Sequence, residues 1–86
     1  MLHEHEHAHQ NTEIIVNGRA RNVAGSLVSF EQVVEIAFPD DPPTPDRIYT
    51  VVFKHGAHRS EGTLVAGQFV DVKNGTQFDV VRSNKS

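Results

Sequence analysis

The segment from Val28 to Pro39, VSFEQVVEIAFP, constrains the chain more than any other. Ser29 is a good N-cap, and Gln32 three residues on completes a capping box, in which the two side chains serve backbone N–H groups left open at a helix start. Val28 before the cap and Val33 after it are placed for a hydrophobic staple. Phe30, Val33, Val34, Ala37 and Phe38 follow the i, i+3, i+4, i+7, i+8 stripe of a helix with one buried face. Pro39 disfavours α geometry at Phe38 and ends the helix there. A helix of about nine residues does not persist alone in water, so the stripe predicts a sheet for it to pack on.

The remaining apolar runs supply that sheet. Glu13-Ile14-Ile15-Val16 meets Asn17-Gly18, a strong hairpin signal, with a return strand over Arg19 to Val23 closed by Gly25. A two-residue turn sets Arg19 opposite Val16 and Arg21 opposite Ile14, which argues for a bulge or a longer loop. All four prolines fall in the acidic connector Pro39-Asp40-Asp41-Pro42-Pro43-Thr44-Pro45-Asp46. The next strand, Ile48 to Lys54, places Tyr49, Val51 and Phe53 on one face and Ile48, Thr50 and Val52 on the other. His55 to Glu61 reads as a loop and Gly62 to Val65 as a short edge strand. In the last hairpin a three-residue loop, Lys73-Asn74-Gly75, pairs Val70 with Phe78 and Val72 with Thr76. A two-residue Asn74-Gly75 turn would mix apolar and charged residues on one face, so the longer loop is expected. The chain order is ββαβββ, and one mixed sheet packed on one helix, an α+β fold, buries it economically.

Length and charge narrow the function. Eighty-six residues make one domain, with little volume for a deep catalytic cleft. A net charge of −3 argues against a general affinity for nucleic acid. The lack of Cys excludes disulfides, thiolate metal sites and a Cys nucleophile, and it fits a reducing cytoplasm. No apolar run approaches the ~20 residues that span a bilayer, and the His/Glu-rich start has no signal-peptide pattern. Residues 1–12 are expected as a disordered tail, 13–82 as the folded domain and 83–86 as a flexible C-terminal tail. A cytoplasmic monomer without catalytic activity or cofactor is expected.

The segments Ile14-Ile15-Val16-Asn17-Gly18-Arg19, Ser29-Phe30-Glu31-Gln32-Val33-Val34, Ala37-Phe38, Tyr49-Thr50-Val51, Gly62-Thr63-Leu64, Gly67, Val70-Asp71-Val72-Lys73-Asn74-Gly75, Phe78-Asp79-Val80 and Lys85-Ser86 stand in a telling order. In that order and spacing the chain resembles the bacterial multi-ubiquitin domain family. The resemblance implies a ubiquitin-like β-grasp and a protein modifier. It implies as partners relatives of the ubiquitin-activating enzyme, the conjugating enzyme and a deconjugating peptidase. Proteins of that family often carry tandem domains, whereas this sequence has one, and the terminal Gly-Gly of ubiquitin is replaced here by Ser83-Asn84-Lys85-Ser86.

On the modifier reading, Arg82, Ser83, Asn84, Lys85 and Ser86 form the conjugation tail, and the chain is a substrate of its enzymes. The alternative is a β-grasp module that binds proteins without being attached to them. Strand alternation in a ubiquitin-like topology also places Ile15, Val52 and Val81 on the solvent face as a partner-binding patch. His3, His5, His7 and His9 offer imidazoles at alternate positions. A flexible tail must bear its own ordering and shows no second group to fix the rings, so no metal site is assigned there. His55, His58 and Glu61 share a loop with Arg59 and Ser60, but no enclosing pocket or orienting group accompanies them, and no catalytic role is assigned.

Overall fold

The computed structural model describes residues 11–40 and 47–84. Strands β1 (Asn11–Val16) and β2 (Arg19–Ala24) form the opening hairpin, and β3 (Leu27–Ser29) leads directly into helix α1 (Phe30–Ala37). Then come β4 (Arg47–Lys54), a 3-10 turn at Ala57–Arg59, β5 (Gly62–Leu64), β6 (Phe69–Asp71) and β7 (Thr76–Asn84). Five strands form one sheet in the order β2-β1-β7-β4-β5, with β1 and β7 parallel and every other pair antiparallel. The helix lies on one face of this mixed sheet, which is the α+β β-grasp that the sequence implies.

The helix forms where the capping signal places it. The Ser29 hydroxyl oxygen accepts the Gln32 N–H at 3.0 Å, and the Phe38 N–H closes the other end on Val34 O at 2.9 Å. Its first turn is also tied to the chain before β6. Phe30 N–H donates to Gln68 O, and the Glu31 carboxylate accepts the Gly67 N–H at 3.0 Å. Val33 and Val34 are buried, with Phe30, Ile36, Ala37 and Phe38 packed partly beside them. Opposite stand Ile14 and Val16 of β1, Val51 of β4, and Phe78 and Val80 of β7. The alternation expected for β4 holds: Val51 is buried, while Ile48, Thr50 and Val52 are exposed.

Four expectations are corrected. The first hairpin has the two-residue turn after all, with Asn17 at φ 52° and Gly18 at φ 81° and with Val16 opposite Arg19 and Ile14 opposite Arg21. The arginines are tolerated because β2 is an edge strand, and both remain exposed while Ile14 and Val16 go under the helix. The second correction concerns the last hairpin. Gly75 is left-handed as expected (φ 95°), but β6 does not pair with β7. It pairs with β3 in a separate two-stranded sheet, Val28 against Val70, and β7 goes to the centre of the main sheet. Third, order reaches further than the sequence suggests. β1 starts at Asn11, and Thr12 is buried with its hydroxyl donating to Gly25 O. Fourth, β7 continues through Ser83 and Asn84, past the boundary expected at Arg82. Prolines 42, 43 and 45 of the connector lie outside the described residues.

Two polar side chains hold the sheet's centre. Asn17 follows β1, and its side chain reaches over β7, where Oδ1 accepts the Val80 N–H at 2.8 Å and Nδ2 donates to Val80 O at 3.2 Å. The amide thereby adds one rung to the parallel β1–β7 ladder beyond the last strand pair, Val16 with Phe78. Thr76 is fully buried, and its hydroxyl accepts the Lys73 N–H at 2.9 Å. The carbonyls of Lys73 and His55 compete for its single proton at 2.8 and 3.0 Å, so no polar atom of this side chain is stranded.

Candidate functional site

The face of the main sheet turned away from α1 carries no covering element among the described residues. The strand registers place its side chains. On β4 it presents Ile48, Thr50, Val52 and Lys54, and on β7 the paired residues Ser83, Val81, Asp79 and Gln77. Val81 stands directly opposite Thr50 and diagonal to both Ile48 and Val52, within reach of each at about 7–8 Å. Ile48, Val52 and Val81 are 45%, 42% and 58% exposed, so three branched apolar side chains stand in water as neighbours on this face. Asp79 beside Val52 and Thr63 of β5 across from it give the cluster a polar rim. Such a surface can dock an apolar partner side chain, because burying branched methyls is favourable wherever the surrounding polar groups keep their water.

Ile15 is not part of this cluster. It pairs with Gln77, and Gln77 and Asp79 intervene before Val81. Four residues of strand separate the two rows by about 13 Å, and Ile15 is itself half-buried. The residue to add is Ile48, whose place on the same face was already legible in the alternation of β4. What the sequence could not supply was the register of the parallel pair, which decides the neighbour of Val81.

The residues expected as a loose tail are divided. Arg82, Ser83 and Asn84 are the last residues of β7 and pair with Tyr49, Ile48 and Arg47. Arg82 turns to the helix side, where its guanidinium lies 5.5 Å above the Phe38 ring, and Phe38 in turn packs on Tyr49 at 5.9 Å. Pairing extends this far because β4 begins at Arg47 and so offers a partner to each residue of β7 from Gln77 to Asn84. Lys85 and Ser86 lie outside the described residues, as do His3, His5, His7 and His9.

His55, His58 and Glu61 are exposed on the loop between β4 and β5, with His55, His58 and Arg59 in left-handed backbone conformations (φ 62°, 59° and 60°). Among the described residues no group of three or more His, Asp or Glu side chains converges as metal donors. No helix among them is long and apolar enough to cross a membrane.

Neither a curated protein nor a solved structure matches the sequence. A family model described as multiubiquitin does, over residues 12–84. That span runs from the second residue of β1 to the last of β7 and takes in the helix, both sheets and the exposed face. The chain therefore belongs to the multiubiquitin family, with the ubiquitin-like fold its name describes.

Proposed function

We propose that the chain is a ubiquitin-like protein modifier, held by its partner enzymes through the Ile48, Val52 and Val81 cluster and joined to targets through its carboxyl end. The observation that carries this reading is the cluster itself, three branched apolar residues in the middle of an uncovered sheet face. An activating enzyme would adenylate the carboxylate and a conjugating enzyme would receive it, so the chain acts as substrate rather than catalyst. The same strand, β7, carries Val81 and, directly after it, Arg82, Ser83 and Asn84, the first residues of the proposed tail.

The test is incubation with an activating-enzyme relative, a conjugating-enzyme relative and ATP, followed by mass spectrometry. An adenylate or a thioester at the carboxylate is expected, and Val81→Asp should suppress it while circular dichroism shows the domain still folded. No adduct with either enzyme removes the modifier reading. A second reading, a module that binds partners without attachment, is favoured by the pairing of Arg82, Ser83 and Asn84 with β4, which keeps in the sheet residues that attachment requires to be loose. Partner binding that is lost in Val81→Asp, with no adduct formed, would support that second reading.

A further inference from the structure

A second surface, at the opposite edge of the sheet from β5, has features that the outer-face cluster does not explain. β2 is an edge strand. Its hairpin closes on the pair Val16–Arg19, so antiparallel alternation spends the backbone groups of Arg19, Arg21 and Val23 on β1. Those of Ala20, Asn22 and Ala24 turn to the free side. Edge strands usually carry a bulge, a proline or an inward-pointing lysine that discourages further pairing. β2 has no bulge and no proline, its outer-face residues are the small Ala20, Asn22 and Ala24, and its only protection of this kind is the pair of helix-side arginines, Arg19 and Arg21, which discourage a basic or neutral strand but not an acidic one.

Beside this edge, between β2 and the last turn of α1, lies a cleft of ≈ 320 Å³. Its apolar wall is Val16, Ile36, Ala37 and Pro39, and its polar wall is Asn17, Arg19 and Arg21. Both guanidinium groups are exposed, and among the described residues neither has an acidic partner, in a chain whose net charge is −3. Among the described residues, Arg21 Nη1 donates to Ala20 O at 2.9 Å. That carbonyl is one of the free-edge acceptors, so the arginine lies along the edge and occupies a position that a new strand's N–H would take.

We propose that β2 and this cleft bind an extended acidic segment of another protein, which adds to the sheet as a sixth strand. The added strand would satisfy the free groups of Ala20, Asn22 and Ala24, which is the usual source of affinity in strand addition. Its side chains on the helix side would place an apolar residue against Ile36, Ala37 and Pro39 and carboxylates against Arg19 and Arg21. Arg21, released from Ala20 O, would exchange a neutral acceptor for a charged one, which makes the stronger hydrogen bond. The arginines also explain why the occupant is not a second copy. Antiparallel pairing of two β2 edges would bring four guanidinium groups onto one face, an arrangement that like-charge repulsion disfavours. This surface is separate from the Ile48, Val52 and Val81 cluster, so the inference stands or falls independently of the proposed modifier role.

The test is titration of the isotope-labelled full chain, observed by amide NMR, with a capped heptapeptide bearing glutamate at its first and third positions, which share a face as Arg19 and Arg21 do, and valine elsewhere. Shifts should concentrate at Ala20, Asn22, Ala24, Ile36 and Ala37, and the same peptide with lysines for glutamates should produce none. Arg19→Glu combined with Arg21→Glu should weaken binding about tenfold or more. Asn22→Pro, which removes one free-edge N–H and no internal bond, should weaken it as well while leaving the melting temperature near that of the parent. Shifts confined to Ile48, Val52 and Val81, or equal binding of the lysine peptide, would overturn the proposal. So would concentration-dependent broadening of the β2 amides without peptide, which would assign the edge to a second copy. Binding that emerges only after Asp40, Asp41 and Asp46 are changed to Asn would overturn it too, by making the chain's own connector the occupant.

Discussion

Replacing Asn17 by glycine tests whether one side chain holds the two halves of the sheet together. Asn17 does two jobs. Its left-handed backbone (φ 52°) makes the hairpin turn, and its amide forms a two-bond bridge to the backbone of Val80 at 2.8 and 3.2 Å. Glycine adopts the same backbone conformation freely, so Asn17→Gly removes the bridge and spares the turn. Each lost hydrogen bond contributes about 0.5–1.5 kcal/mol net, which puts the pair at about 1–3 kcal/mol. The added chain entropy of glycine in the unfolded state raises the loss by a further ~0.4–1 kcal/mol. Water can reach part of the site, because Asn17 is exposed, and this holds the expected total near 2–3 kcal/mol rather than above it. At ~4–8 °C per kcal/mol for a domain of this size, the melting temperature should fall by about 10–20 °C. Asn17→Ala should fall further, by about 1 kcal/mol, because alanine also resists the left-handed turn. The assay is urea and thermal unfolding followed by circular dichroism, with amide hydrogen exchange at Val80 as the local readout. A loss below ~0.5 kcal/mol for Asn17→Gly, or Val80 exchange no faster than in the parent, would refute the bridge as a structural tie.

Three further substitutions probe other parts of the frame. Ser29→Ala removes the cap on the Gln32 N–H and should lower stability by about 1 kcal/mol, read from the urea midpoint at constant m-value. Thr76→Val keeps the shape but strands the Lys73 N–H in the interior, with an expected loss of about 1–3 kcal/mol in the same titration. Phe78→Ala empties the position that packs on Phe53 at 6.3 Å and should cost about 3–5 kcal/mol, enough to populate the unfolded state at room temperature.

How far the sequence could be read depended on whether a feature is local. The helix is specified by neighbours within three or four positions, and Ser29, Val33, Val34 and Pro39 marked it to within a residue of its observed bounds. Asn17-Gly18 announced its turn for the same reason. The pairing of β3 with β6 was not legible. Each has three residues, too few for alternation to register, and the tie between Val28 and Val70 spans the whole middle of the chain. The first hairpin's register misled because the pairing rule assumes that the buried face stays covered out to the edge strand. Arg19 and Arg21 sit beside a helix end that leaves them room to reach water, a common solution for long cationic side chains. At the candidate site, alternation alone put Val52 and Val81 outside, but the registers of β7 on β1 and on β4 were needed to make Ile48 rather than Ile15 their companion.

The parallel pairing of β1 with β7 has a consequence for biosynthesis. The strand made first and the strand made last among those described lie side by side at the sheet's centre, with β7 also the sole bridge from β1 to β4. A nascent chain that has left the ribosome only as far as Leu64 therefore holds two unconnected hairpins, each with an open flank and an apolar face in water. It cannot close its interior until residues 76–84 emerge. Folding of this domain should come as a single late event after translation of β7 rather than in stages, and chains stalled before that point should be the ones that chaperones hold.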